Sequence, residues 1–157
     1  MSYVVLIPAR MNSQRLPGKP LADIHGKPMI QRVFEQAQLS QASRIVVATE
    51  DSVIYECVSG FGGEVVMTSS HHTSGTDRAA EACNSLGISP DVSVVNVQGD
   101  EPLIPPACID QVAMDLEQSR CEMATLCQPL TELSQWQDPN VVKLTRNRFQ
   151  EALYFTQ

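Results

Sequence analysis

The sequence predicts an α/β protein built on a doubly wound, mainly parallel sheet, with a strand-rich carboxyl-terminal part. Three observations predict it. Four short, apolar-rich runs dominated by Val and Ile recur along the first two-thirds of the chain. Stretches of helical period separate them. Beyond residue 120 that alternation stops and short strand-like runs take over. A strand apolar on both faces needs cover on both faces, which helical crossovers of a parallel sheet provide. Such crossovers are right-handed in nearly every known sheet.

Val4-Val5-Leu6-Ile7 is the first buried strand, and Pro8 ends it. Residues 9–20 read as a polar, basic loop with Pro17, Gly18 and Pro20. Pro28 suits the first turn of a helix whose Ile30, Val33, Phe34 and Ala37 fall on one face. Ile45 to Ala48 is the second strand. Asp51 is the expected N-cap of a helix carrying Ile54, Cys57, Val58 and Phe61, which Gly62-Gly63 ends. Glu64 to Met67 is the third strand. Ser74 and Asp77 have capping-box spacing before a helix with Ala79, Ala80, Cys83 and Leu86. Val92 to Val97 is the fourth strand. Pro105-Pro106 opens a helix with Ile109, Val112, Ala113 and Leu116 inward. Residues 122–127, 140–145 and 151–155 read as strands, with Trp136 expected to pack among them. No linker is visible, so a single domain is expected over 1–157.

The charge is uneven. The chain carries a formal net charge of −7, yet residues 1–32 hold five Lys or Arg against one acid. Residues 33–157 hold six bases against seventeen acids. Overall acidity disfavours nucleic-acid and anionic-membrane partners, while the basic amino-terminal stretch asks for a local anion. No apolar run has the length of a transmembrane helix, and the amino terminus lacks signal-peptide organisation. A cytoplasmic protein is expected. Five cysteines without a C-x-x-C read as reduced, mostly buried thiols.

Ligands of open α/β sheets bind beyond the carboxyl ends of the strands, near the point where strand order reverses. That rule selects residues 8–20, 68–76 and 98–102, which are also the segments richest in chemistry. The first carries Arg10, Arg15 and Lys19, suited to phosphate oxygens, or else is a solvated basic loop. The third ends a strand in Gln98-Gly99-Asp100-Glu101. An acid there can hold Mg²⁺ together with phosphate oxygens, or can be a plain acidic turn. The second, His71-His72-Thr73-Ser74-Gly75-Thr76, offers hydroxyls and helix amides to a ligand, or a simple cap at Ser74. Adjacent histidines on an extended strand point to opposite faces, which argues against a metal pair.

Taken together, the motifs resemble the 3-deoxy-manno-octulosonate cytidylyltransferase (CMP-Kdo synthetase) family. Pro8-Ala9-Arg10, Ser13-Gln14-Arg15-Leu16-Pro17-Gly18-Lys19-Pro20-Leu21 and Gly26-Lys27-Pro28-Met29-Ile30 carry the opening motif. Ser74-Gly75-Thr76-Asp77-Arg78, Asn96-Val97-Gln98-Gly99-Asp100-Glu101-Pro102 and Ala152-Leu153-Tyr154-Phe155 follow in order. The resemblance implies a glycosyltransferase-A-like nucleotidyltransferase fold. The implied reaction joins CTP and Kdo into CMP-Kdo and pyrophosphate for lipopolysaccharide synthesis. By position, Arg10, Arg15 and Lys19 would grip the triphosphate, with Asp100 holding Mg²⁺. Pro8 and Ala9, with Ser74, would lie by the cytidine and Gln98 near the sugar or ribose, with Ser13, Gly75, Thr76 and Gly99 as further substrate-binding candidates.

The resemblance also implies a longer, homodimeric protein, of which roughly a third would be missing here. In the family that part supplies a second metal-binding Asp, sugar contacts and the dimer-forming region. Gln157 stands where the family continues with Ser-Arg, and His71 where it often has Asp. Two alternatives follow: a non-catalytic CTP-binding fragment, or a related CMP-sugar synthetase acting on another acidic sugar.

Overall fold

The computed structural model describes residues 2–12, 16–72, 74–119 and 121–156. The chain divides into two compact units, Met1–Ala124 and Thr125–Gln157.

The first unit is a four-stranded parallel sheet. Its strands are β1 (Tyr3–Ala9), β4 (Arg44–Thr49), β5 (Glu64–Met67) and β6 (Ser93–Asn96), in the order β5-β4-β1-β6. A small antiparallel pair, β2 (Asp23–Ile24) and β3 (Lys27–Pro28), precedes the first helix. The sequence pattern does not reveal this pair, because two residues per strand are too few for a period. Its turn uses His25 at φ 50° and Gly26 at φ 78°, and the Arg32 guanidinium braces it by donating to the Ile24 and His25 carbonyls.

Four helices flank the sheet: α1 (Met29–Gln38), α2 (Ser52–Gly60), α3 (Gly75–Ser85) and α4 (Pro106–Gln118). Strand β1 alternates between two cores. Tyr3, Val5, Ile7 and Ala9 meet Ile30, Val33 and Phe34 of α1, Ile54 and Val58 of α2, and Ile109 of α4. Val4 and Leu6 meet Ala79 and Ala82 of α3 together with Val46 and Ala48. Helices therefore cover both faces, as a doubly wound sheet requires. Leu6, Ile7, Ile30 and Ile54 are fully buried, each contributing about 1.5–3 kcal/mol of transfer free energy.

Chain order explains where a ligand can enter. The chain runs from β1 outward through β4 to β5, then crosses to the other side of β1 to lay down β6. Strand order reverses between β1 and β6, so their carboxyl ends leave a crevice.

Asp51 does sit at the N-cap of α2, but its side chain makes no cap bond. It accepts the Met11 N–H at 2.7 Å instead, anchoring the loop after β1. That loop closes with a Gly18 N–H to Met11 carbonyl bond of 3.0 Å. Gly18, at φ 72°, then leads into a short 3-10 turn, Lys19–Leu21.

The carboxyl-terminal part, from residue 121 on, differs from the sequence expectation. Residues 122–127 form no strand. A short helix, α5 (Leu133–Gln137), is capped reciprocally by Glu132 and Gln135. Strands β7 (Lys143–Arg146) and β8 (Ala152–Thr156) form an antiparallel hairpin. Trp136, expected to pack, is 60% exposed. The five cysteines are free thiols. Cys57, Cys83 and Cys108 are half-buried, and burial pushes the Cys57 and Cys83 thiols up. Cys121 and Cys127 are exposed, contrary to the expected burial. Among the described residues no helix is long and apolar enough to cross a membrane.

Candidate active site

The crevice between β1 and β6 holds a cleft of about 340 Å³. Three segments build it. Pro8, Ala9 and Arg10 come from the end of β1, and the 3-10 turn adds Lys19 and Pro20. His72, Ser74, Gly75 and Arg78 come from the approach to α3 and its first turn. Gln98, Gly99 and Asp100 follow β6. Three segments remote in sequence thus converge where the strand-end rule places them.

Two glycines permit the convergence. A Cβ on Gly99 would fall 2.9 Å from the Pro8 carbonyl oxygen, and one on Gly75 would fall 3.1 Å from Pro8 Cγ. The Gly99 Cβ would meet a backbone oxygen, which is not the end of a flexible side chain that could yield. Gly99→Ala is therefore expected to cost about 1–3 kcal/mol of stability and to displace Pro8 from the cleft floor. Thermal unfolding checks it: a variant as stable as the parent would contradict the contact.

Ser74 is the cap of α3. Its hydroxyl accepts the Asp77 N–H at 3.0 Å and donates to the Asp77 carboxylate at 2.6 Å. The hydroxyl is engaged in the cap while its residue still lines the cleft. Thr76 is exposed and is not among the residues lining the cleft. Ser13 and Arg15 lie outside the described residues. Arg10 is exposed at the cleft and forms no ion pair among the described residues.

Lys19 Nζ lies 2.6 Å from Asp100 Oδ2. The two groups expected to hold phosphate and metal hold each other. Both side chains remain accessible, 31% and 49% exposed, so the pair stabilises the fold by at most about 1 kcal/mol and is easily opened. Among the described residues no cluster of three His, Cys, Asp or Glu could hold a metal. One accessible carboxylate at a cleft wall still fits Mg²⁺, which keeps several waters and takes phosphate oxygens as ligands.

Sequence reasoning assigned no role to Arg78. The residue is 2% exposed. Its guanidinium donates to Thr68 Oγ1 at 2.5 Å and to the Ser69 carbonyl at 3.3 Å, and pairs with the Glu50 carboxylate. A signal existed: Arg78 and Ala82 are four apart on the helix, so the guanidinium lies on the buried stripe and needs a buried partner. His72, weighed only as a metal ligand, lines the cleft with its Nε2 against Glu81. That bond, with the Ser69 N–H, holds the Glu81 carboxyl below its usual range.

The chain is 54% identical over 157 residues to 3-deoxy-manno-octulosonate cytidylyltransferase of Saccharophagus degradans, covering 99% of this chain and 62% of that protein. It is 56% identical over 156 residues to the protein of that name from Aliivibrio fischeri, covering 99% and 63%. The chain thus spans slightly less than two-thirds of these curated relatives. A solved structure of CMP:2-keto-3-deoxy-manno-octonic acid synthetase complexed with CTP superposes with a TM-score of 0.85. That match is 36% identical and covers 99% of this chain and 64% of the other. The mainly parallel α/β sheet is therefore the nucleotidyltransferase fold that the motifs imply. Residues 4–157 match the family described as cytidylyltransferase, and on that match the chain belongs to it.

Proposed function

We propose that this chain is the nucleotide-binding portion of a CTP:3-deoxy-manno-octulosonate cytidylyltransferase, making CMP-Kdo and pyrophosphate for lipopolysaccharide synthesis in the cytoplasm. The observation that carries the proposal is the cleft at the β1–β6 reversal, which Arg10, Lys19 and Asp100 all line and where Gly75 and Gly99 pack against Pro8. The identity to the named relatives supports the choice of CTP and Kdo. In this reading the two compact units belong to one functional domain of a homodimeric enzyme.

The chemistry follows from charge. The anomeric hydroxyl of an acidic sugar must attack the α-phosphorus in line while pyrophosphate leaves. Both partners are anionic, so cations must offset their repulsion and the charge growing on the leaving group. Arg10, Arg15 and Lys19 supply that charge to the triphosphate. The ends of β1 and α3, with Ser74, Gly75 and Thr76, hold the nucleoside side. Gln98 faces the sugar or ribose. Asp100 would hold Mg²⁺, which would supply polarisation of the phosphoryl oxygens. No covalent nucleophile is needed, because positioning and electrostatics supply the rate.

Two measurements test the proposal. Calorimetry with CTP and Mg²⁺ is expected to give saturable binding that Arg10→Ala weakens. Pyrophosphate release with CTP and Kdo is expected from the relatives' full length and to fall at least ~100-fold in Asp100→Ala. Absence of CTP binding by this chain would overturn the proposal. A second reading rests on the chain's 62% share of its relative: the chain alone binds CTP without turnover. Binding without pyrophosphate release selects it.

A further inference from the structure

Arg78 and Glu81 stand three residues apart on α3 and share one side of the helix. Both reach the same residue of the segment that follows β5. Arg78 donates to the Ser69 carbonyl at 3.3 Å, and the Ser69 N–H donates to Glu81 Oε2 at 2.9 Å. The two backbone groups of Ser69 are thus held by two side chains of one helix.

The neighbours of Ser69 are held as well. Thr68 accepts from Arg78 through Oγ1 at 2.5 Å, and its N–H reaches the Thr49 carbonyl at 2.8 Å, just past the end of the β4–β5 ladder. Three residues on, His72 meets the same Glu81 oxygen that Ser69 uses. Residues 68–72 are therefore bracketed against α3, and their end, His72, forms part of the cleft wall. Helix α3 has its own cap at Ser74, so these long side chains are not needed to start it. Their bonds act on the segment.

We propose that Arg78 and Glu81 are positioning residues that hold residues 68–72 as a fixed wall of the cleft and present His72 to the bound nucleotide. Arg78 ties the wall to Glu50 at the end of β4. Glu81 ties it to His72 and fixes the ring through Nε2. The ligand side of this inference rests on the CTP reading above, whereas the wall itself does not.

Arg78 is buried and paired, so its variants threaten folding. Glu81, with a side chain 35% exposed, gives the cleaner test. Calorimetry compares CTP binding by the parent chain, His72→Ala, Glu81→Ala and the double variant, with hydrogen exchange of the Ser69 amide measured alongside. Each single change is expected to weaken CTP binding about fivefold. The double variant is expected to lose about the same factor rather than its square, because Glu81 acts through His72. Ser69 exchange is expected to rise at least ~10-fold in Glu81→Ala with little change in melting temperature. Unchanged CTP binding in Glu81→Ala, or multiplicative losses in the double variant, would overturn the positioning role. If the parent chain binds no CTP, the functional reading falls, and Ser69 exchange alone decides: acceleration supports the fixed wall, and an unchanged rate overturns it.

Discussion

Replacing Lys19 by methionine is expected to move two affinities in opposite directions. CTP binding should weaken about 10–100-fold, the usual cost of losing a charge-assisted hydrogen bond to phosphate. Binding of Mn²⁺ without nucleotide should tighten by up to about fivefold, because the ammonium that neutralises Asp100 is gone. The 2.6 Å contact between the two groups sets both signs. In the free protein Lys19 competes with any cation for Asp100. On the proposed function, an entering triphosphate would give Lys19 a better partner and release the carboxylate. Calorimetry reads the first affinity, and electron paramagnetic resonance of free Mn²⁺ reads the second. Arg10→Met serves as the comparison, since Arg10 forms no ion pair among the described residues. It should weaken CTP binding and leave Mn²⁺ binding unchanged. Two affinities falling together in Lys19→Met would refute the competition.

The largest effect on stability is expected from Arg78→Met. The guanidinium is 2% exposed, and the Glu50 side chain it pairs with is 18% exposed. Removing one member of a buried pair leaves the other charged without compensation, at a cost of about 3–5 kcal/mol. At about 2–4 °C per kcal/mol for a chain of this size, the melting temperature should fall by roughly 6–20 °C. Most of the loss is the stranded carboxylate rather than lost attraction. Adding Glu50→Gln should therefore restore part of it, although a single change at Glu50 alone destabilises. Urea unfolding of the two single variants and the double variant measures this. A double variant less stable than Arg78→Met would show that Glu50 is not the stranded group.

Much of the sheet was legible in the sequence because its signals are local. Val4 to Ile7 and Ile45 to Ala48 are apolar on both faces, and only strands covered on both sides need that. The stripes on α1, α2 and α4 sit at i, i+3, i+4 and i+7 for the same kind of reason, whereas on α3 the expected Ala80 is exposed and Ala82, three residues after Ala79, is buried in its place. The carboxyl-terminal part was less legible. Residues 122–127 have strand-like composition but find no partner, and a strand exists only when another strand takes its backbone bonds. Helix α5 was overlooked although Glu132 and Gln135 have capping-box spacing, since its five residues are too few for a periodic stripe. Trp136, the lone tryptophan, was expected to pack in the strand-rich end and lies exposed.

The site divides along the same line. The sequence by itself determined the fold class, the three segments that build the cleft and the cations and carboxylate they carry, because strand ends and motif chemistry are properties of short stretches. Only the tertiary structure decided how those groups spend their bonds. The Asp51 carboxylate holds the loop at Met11 instead of capping its helix, Lys19 meets Asp100, and Arg78 and Glu81 take the carbonyl and the N–H of Ser69. Each is a contact between residues from about ten to eighty positions apart. Charge and hydrogen bonding choose such partners by distance in space, which spacing along the chain does not encode.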